Sequence, residues 1–99
     1  MAFENHGTRA FTPASVDRNA PSASGVYGLS NARAWVYVGE CDDVREQLRK
    51  HLGETGTLLR AQNPTGFTYE LCAEGDRIAR QNQLVRELEP VCNRRGDAV

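Results

Sequence analysis

Gly25-Val26-Tyr27-Gly28-Leu29-Ser30-Asn31-Ala32-Arg33-Ala34-Trp35-Val36-Tyr37-Val38-Gly39 is the stretch on which the fold turns. It holds two short apolar triplets, Gly25-Val26-Tyr27 and Tyr37-Val38-Gly39, each with one tyrosine and one glycine. Between them, Ser30-Asn31-Ala32-Arg33 is a polar break long enough for a hairpin turn and little more. Strands are therefore predicted over Gly25–Leu29 and Ala34–Gly39. Alternation puts Trp35 and Tyr37 on one face of the second strand and Val36 and Val38 on the other. Val26 separates from Tyr27 and Leu29 in the same way, and the valine faces are expected to meet the core. Asn31, tolerant of left-handed backbone, is the expected turn former.

Working outward, the clearest helix follows the hairpin. Asp42 or Asp43 can cap it, and Asp43 with Glu46 has capping-box spacing. Val44, Leu48, His51 and Leu52 fall on one side, and Gly53 closes the helix. Arg49, Lys50 and His51 lie in the last turn, where cations suit the helix dipole. Residues 53 to 66 form a looser connection, with a short helix expected within Thr57–Gln62. Phe67-Thr68-Tyr69-Glu70-Leu71-Cys72 alternates as a third strand, with Phe67, Tyr69 and Leu71 on one face. A second long helix is predicted from about Asp76 to Leu88, with Ile78, Gln81, Val85 and Leu88 as its stripe, Leu84 beside it, and Pro90 ending it. Upstream, residues 1 to 10 show no periodicity and read as a loose arm. Thr12-Pro13 opens a helix of one or two turns, with proline at the first helical position.

The predicted fold class is α+β, a small antiparallel three-stranded sheet flanked by helices. The order is short helix, strand, strand, helix, a possible further helix, strand, helix. Residues 1–20 make an N-terminal arm with a short helix, 21–93 one domain, and 94–99 a polar tail. A chain of 99 residues has room for one modest core. With 39% hydrophobic and 25% charged residues it has the balance of an ordinary globular chain.

Twelve basic and 13 acidic side chains leave a net charge of -1, without the basic excess of a protein held mainly by phosphate contacts. Charge can still segregate to a local basic face. Cys41, Cys72 and Cys92 are odd in number and in no CxxC arrangement, which speaks against a disulfide framework or zinc site. No apolar run approaches the roughly 20 residues of a membrane span, and the first residues lack the basic start and apolar core of a signal peptide. The expected location is the cytoplasm.

Hairpin, helix, strand and helix in this order, with the two triplets on the hairpin, resemble the GIY-YIG nuclease superfamily of repair and homing endonucleases. The resemblance runs from about Pro21 to Asn93. It includes His51, where some members carry a histidine, and Asn82-Gln83-Leu84-Val85-Arg86 with Pro90 and Asn93, similar to the family's closing pattern. It implies metal-dependent phosphodiester hydrolysis, which needs a hard oxygen ligand for magnesium, a cation for the developing charge and a Lewis acid for the attack. In the family one tyrosine acts as general base or orienter of water and the second supports it. An arginine on the first helix stabilises phosphate charge, and a glutamate on the last helix holds a single divalent metal.

Carried onto this chain, the resemblance makes Tyr27, Tyr37 and His51 candidate catalytic residues. Gly39 lets backbone approach the site and, with Asn93, is a candidate substrate-binding position. The arginine position falls on Gln47 and the metal-ligand glutamate on Gln81, so the signature is degenerate at both charged positions. Position 40 is Glu40, a weak substitute carboxylate, and Arg77 and Arg80 are the nearest replacement cations. No cofactor is expected, with magnesium or manganese bound only if the site is active. A neutral amide removes the charge that holds such a metal, and loss of one oxyanion donor alone costs about 10²–10³ in rate.

Ordinary roles compete with each of these. The tyrosines can be strand residues with buried rings and wet hydroxyls, His51 a helix-end cation, Gln81 a partner for a tyrosine hydroxyl, and Glu40 a solvated strand end. The leading expectation is a nuclease-like domain that has lost catalysis and serves as a binding or scaffold module, with a protein or nucleic-acid partner. The alternative is an active metal-dependent DNA endonuclease with a displaced metal ligand. A small regulatory domain with coincidental triplets is the reading outside the family.

Overall fold

In the computed structural model, which describes residue 3 and residues 7–54 and 57–94, the hairpin forms as β2 (Gly25–Ser30) and β3 (Trp35–Cys41). Most of the first six residues, Thr55-Gly56 and the tail from residue 95 lie outside the described residues. Asn31 makes the turn by its side chain and not by left-handed backbone: its Oδ1 accepts from the amides of Arg33 at 2.8 Å and Ala34 at 2.9 Å. This is the local hydrogen bonding by which Asn mimics a backbone turn.

One irregularity changes the face assignments. Leu29 pairs with Tyr37 but Ser30 pairs with Trp35, leaving Val36 as the extra residue of a bulge. Val36 therefore turns to the side of Tyr27, Leu29 and Tyr37, while Val38 joins Val26 on the other side. Trp35 crosses over to lie against Gly28 and the Phe3 ring, 5.5 Å from it between centroids. The strict alternation read from the sequence is thus corrected at Trp35 and Val36, because a bulge shifts the period-two pattern by one residue.

β2 is central. It pairs antiparallel with β3 on one side and with β4 (Gly66–Leu71) on the other. The sheet has a strand more than the three expected: β1 (Arg9–Ala10), from the arm, pairs with Phe67 and Gly66, giving the order β1-β4-β2-β3 among the described residues. The last part of the arm is therefore a sheet edge, anchored by Phe11, which is buried in the core.

Helices cover both faces. On one side α1 (Pro13–Asn19), α2 (Val44–Gly53) and α3 (Leu58–Ala61) enclose Phe11, Val16, Leu29, Val44, Leu48 and Phe67. Thr12, Asp43 and Thr57 cap them through their side chains. The start of α2 is fully accounted for: Val44 and Arg45 amides donate to Ala23 and Pro21 carbonyls, and Glu46 to Asp43 Oδ1 at 3.0 Å.

On the other side α4 (Arg77–Leu88), preceded by a 3-10 turn at Glu74–Asp76, lays Leu84 on Val26 and Val38. The predicted stripe is corrected at its first member, since Ile78 is 62% exposed while Val85 and Leu88 pack beside Leu84. Leu84, Val85 and Leu88 pack toward the sheet, and Arg77 and Arg80 extend the same side with ion pairs. α4 ends at Glu89 in the left-handed conformation, and Pro90 precedes a further short helix, α5 (Val91–Arg94). No helix among the described residues is long and apolar enough to cross a membrane.

Candidate functional site

Tyr27 and Gly39 are directly opposed across β2 and β3. A side chain at Gly39 would have its Cβ 2.7 Å from the Tyr27 hydroxyl and 2.9 Å from Tyr37 Cε2, so glycine is what lets the two tyrosine rings close over this strand. Their centroids stand 6.1 Å apart.

The α2 stripe brings the next pieces. Gln47 and His51 are four residues apart and share a helix face, and both reach Tyr27. His51 Nε2 is 2.7 Å from the Tyr27 hydroxyl, with its ring 5.6 Å from Tyr27 and 5.8 Å from Tyr37. Gln47 and Tyr37 also stand close enough to bear on the ionisation of Tyr27. His51 Nδ1 in turn lies 3.1 Å from Glu54 Oε1. Tyr27 is 1% and His51 2% exposed, so this is a buried polar network and not a solvated helix end. Burial first, then the neighbouring Tyr37, pushes the Tyr27 hydroxyl pKa well above the ordinary tyrosine range. Tyr37, half-buried, is also pushed up, chiefly by burial.

Tyr27, Tyr37, His51, Gly39 and Gln47 are thus brought together, and the other predicted residues are placed elsewhere. Asn93 acts on the edge strand: its Oδ1 accepts from the Val38 amide at 2.7 Å and its Nδ2 donates to the Val38 carbonyl at 3.0 Å. Gln81 donates to Asn82 Oδ1 at 3.5 Å rather than to a tyrosine. Glu40 and Glu70 flank Val26 by strand register. Glu40 lies 3.1 Å from Arg77 Nε, and Glu70 takes Arg80 in a two-pronged pair at 2.8 and 2.9 Å. The replacement cations and carboxylate considered from sequence are therefore tied up in ion pairs, Arg77 with Glu40 and Arg80 with Glu70. Glu54 is the site residue that sequence reading missed. Its signal was the three-residue spacing from His51, hidden because Glu54 falls where the helix ends and reads as loop.

The donor chemistry can be compared with what a divalent metal wants, which is several hard oxygens, carboxylates above all. Among the described residues no three His, Cys, Asp or Glu side chains converge. The carboxylates that bear on Tyr37 are Glu40, which faces Arg77, and Glu54, which faces His51. These residues do not fit a magnesium site. A cavity of about 500 Å³ lies at the far end of the hairpin, lined by Asn31, Arg33, Gln62 and Asn63, away from the tyrosines.

A two-stranded hairpin, a helix, a third strand and a helix on the opposite face make up the fold of the solved GIY-YIG endonuclease domains. The chain has that fold. The solved GIY-YIG N-terminal endonuclease domain of UvrC from Thermotoga maritima, bound to its catalytic divalent cation magnesium, matches with a TM-score of 0.63 at 18% identity, over 76% of this chain and 91% of that one. A tyrosine-to-phenylalanine point mutant of the same domain matches with a TM-score of 0.63 at 17% identity, over 76% of this chain and 90% of that one. In sequence, UvrABC system protein C of Rhodopseudomonas palustris is 30% identical over 82 residues, 77% of this chain. The match spans 12% of the length of that protein. No family model matches the chain.

Proposed function

We propose that this GIY-YIG domain does not hydrolyse phosphodiesters and serves as a binding or scaffold module. The observation that carries the reading is the state of the Tyr27 hydroxyl. A phenol oxygen offers one donor and two lone pairs. His51 engages this oxygen at 2.7 Å, and burial closes the group to water. A general base must instead reach the proton of an attacking water within about 3 Å.

Neutral Gln47 adds to this, since no cation beside Tyr27 favours its ionised form. That no carboxylate cluster forms among the described residues supports the same reading, because the solved endonuclease domain is bound to a catalytic divalent cation. The partner is a protein or a nucleic acid, and a net charge of -1 favours protein. Cys41, Cys72 and Cys92 are not joined in disulfides, in keeping with a reducing, cytoplasmic setting.

A second reading is retained on one observation, the 2.7 Å contact that gives Tyr27 a proton acceptor in His51. On that reading the chain is a DNA endonuclease whose ligands differ from those of its relatives. The test is incubation of the purified protein with single-stranded, duplex and branched DNA, in magnesium and in manganese, beside Tyr27→Phe. The expected result is no cleavage by either protein. Cleavage by the wild type that disappears in Tyr27→Phe would overturn the proposal.

A further inference from the structure

We infer that Glu54 is a positioning residue, which holds His51 in the tautomer whose Nε2 accepts the Tyr27 hydroxyl proton. The assignment follows from donor and acceptor capacity. An ionised carboxylate only accepts, so the 3.1 Å contact between Glu54 Oε1 and His51 Nδ1 requires the hydrogen on Nδ1. A neutral imidazole then has its lone pair on Nε2, and the 2.7 Å contact makes Tyr27 the donor. The other nitrogen's hydrogen bond is what sets a histidine tautomer. At 2% exposure, His51 has little water to compete for that choice.

The backbone supports the arrangement. Glu54 is the residue after α2, and its amide donates to the His51 carbonyl at 3.2 Å, which returns its side chain to the His51 ring. The result is a chain of donors running from Tyr27 through His51 to Glu54. Transfer along it would break the Tyr27 O–H bond and form Nε2–H, leaving a phenolate and an imidazolium that faces the Glu54 carboxylate. No further reactant is needed. The tautomer stands on geometry alone. Its consequence for cleavage rests on the second, hydrolytic reading above.

The experiment is ¹⁵N-edited NMR of the His51 ring in the full chain, above the ordinary histidine titration range, in wild type, Glu54→Ala and Glu54→Gln. The wild type is expected to carry its hydrogen on Nδ1. Glu54→Gln is expected to keep it there, because its side-chain carbonyl still accepts, and Glu54→Ala to lose it to Nε2. A wild-type ring protonated on Nε2, or an unchanged tautomer in Glu54→Ala, would overturn the inference. If Glu54→Ala does not fold, the wild-type and Glu54→Gln spectra decide it. DNA cleavage is followed on the same samples. Absence of cleavage with the expected tautomers leaves the relay intact and sinks only the hydrolytic reading.

Discussion

Gly39 is the position where a single methyl group has the clearest consequence. Its added Cβ would lie 2.7 Å from the Tyr27 hydroxyl and 2.9 Å from Tyr27 Cζ, against a ring that His51 holds in place. Gly39→Ala is expected to destabilise the fold by about 1–3 kcal/mol, the usual range for overpacking a well-filled site. Urea denaturation checks this, and an unchanged midpoint would show that the tyrosines can move apart freely. Acid–base linkage acts at the same scale. Burial pushes the Cys41 thiol from its ordinary 9.0 up to about 11. The unfolded chain loses this proton first, so the stability it contributes is present below pH 9 and is lost as pH rises through about 11. Tyr27, also raised, adds a loss that starts above its ordinary value of 10.0. Stability measured against pH is expected to fall from pH 9 upward, and Cys41→Ser to remove the earliest part of that fall.

At the scale of elements, the sheet edge and the helix starts are where single side chains replace missing backbone partners. β3 is an outer strand, and Asn93 satisfies both the amide and the carbonyl of Val38 as a neighbouring strand would. Asn93→Ala is expected to cost about 1–3 kcal/mol by leaving part-buried backbone groups unpaired. It should also speed hydrogen exchange at the Val38 amide, and a protected Val38 in the variant would argue against this role. Asp43→Ala, which removes the cap of α2, is expected to lower stability by about 1 kcal/mol in the same denaturation assay. The helix that it anchors carries Gln47 and His51, so the cap also helps to place the network around Tyr27. Ile78, by contrast, projects into solvent despite sitting in the apolar pattern of α4.

On the scale of the whole molecule, the sheet separates two kinds of polar chemistry. The Tyr27 face holds a buried hydrogen-bonded cluster with a carboxylate at its end. The Val26 face holds the ion pairs of Glu40 with Arg77 and Glu70 with Arg80. If charge at the two glutamine positions is what separates this chain from the solved endonuclease domains that share its fold, Gln47→Arg with Gln81→Glu is expected to produce magnesium-dependent cleavage. Neither single change is expected to do so. Continued silence of the double variant would show that these positions do not correspond to the family's arginine and glutamate.

Local pattern was enough to determine the hairpin, the caps of α1 and α2, the buried stripe of α2 and the resemblance to GIY-YIG domains. Each of these depends on residues close in the chain or on a repeating period, and both can be read without a partner surface. The remainder depended on contacts between segments far apart in sequence. The bulge at Val36 follows from the register of one strand on another, and the α4 face from the meeting of Arg77 and Arg80 with Glu40 and Glu70. Asn93 reaches an edge 55 residues away. Nothing in the sequence pattern around His51 distinguishes a wet helix end from a dry one. Tertiary packing against Tyr27 decided that, by removing the water that would otherwise satisfy both side chains.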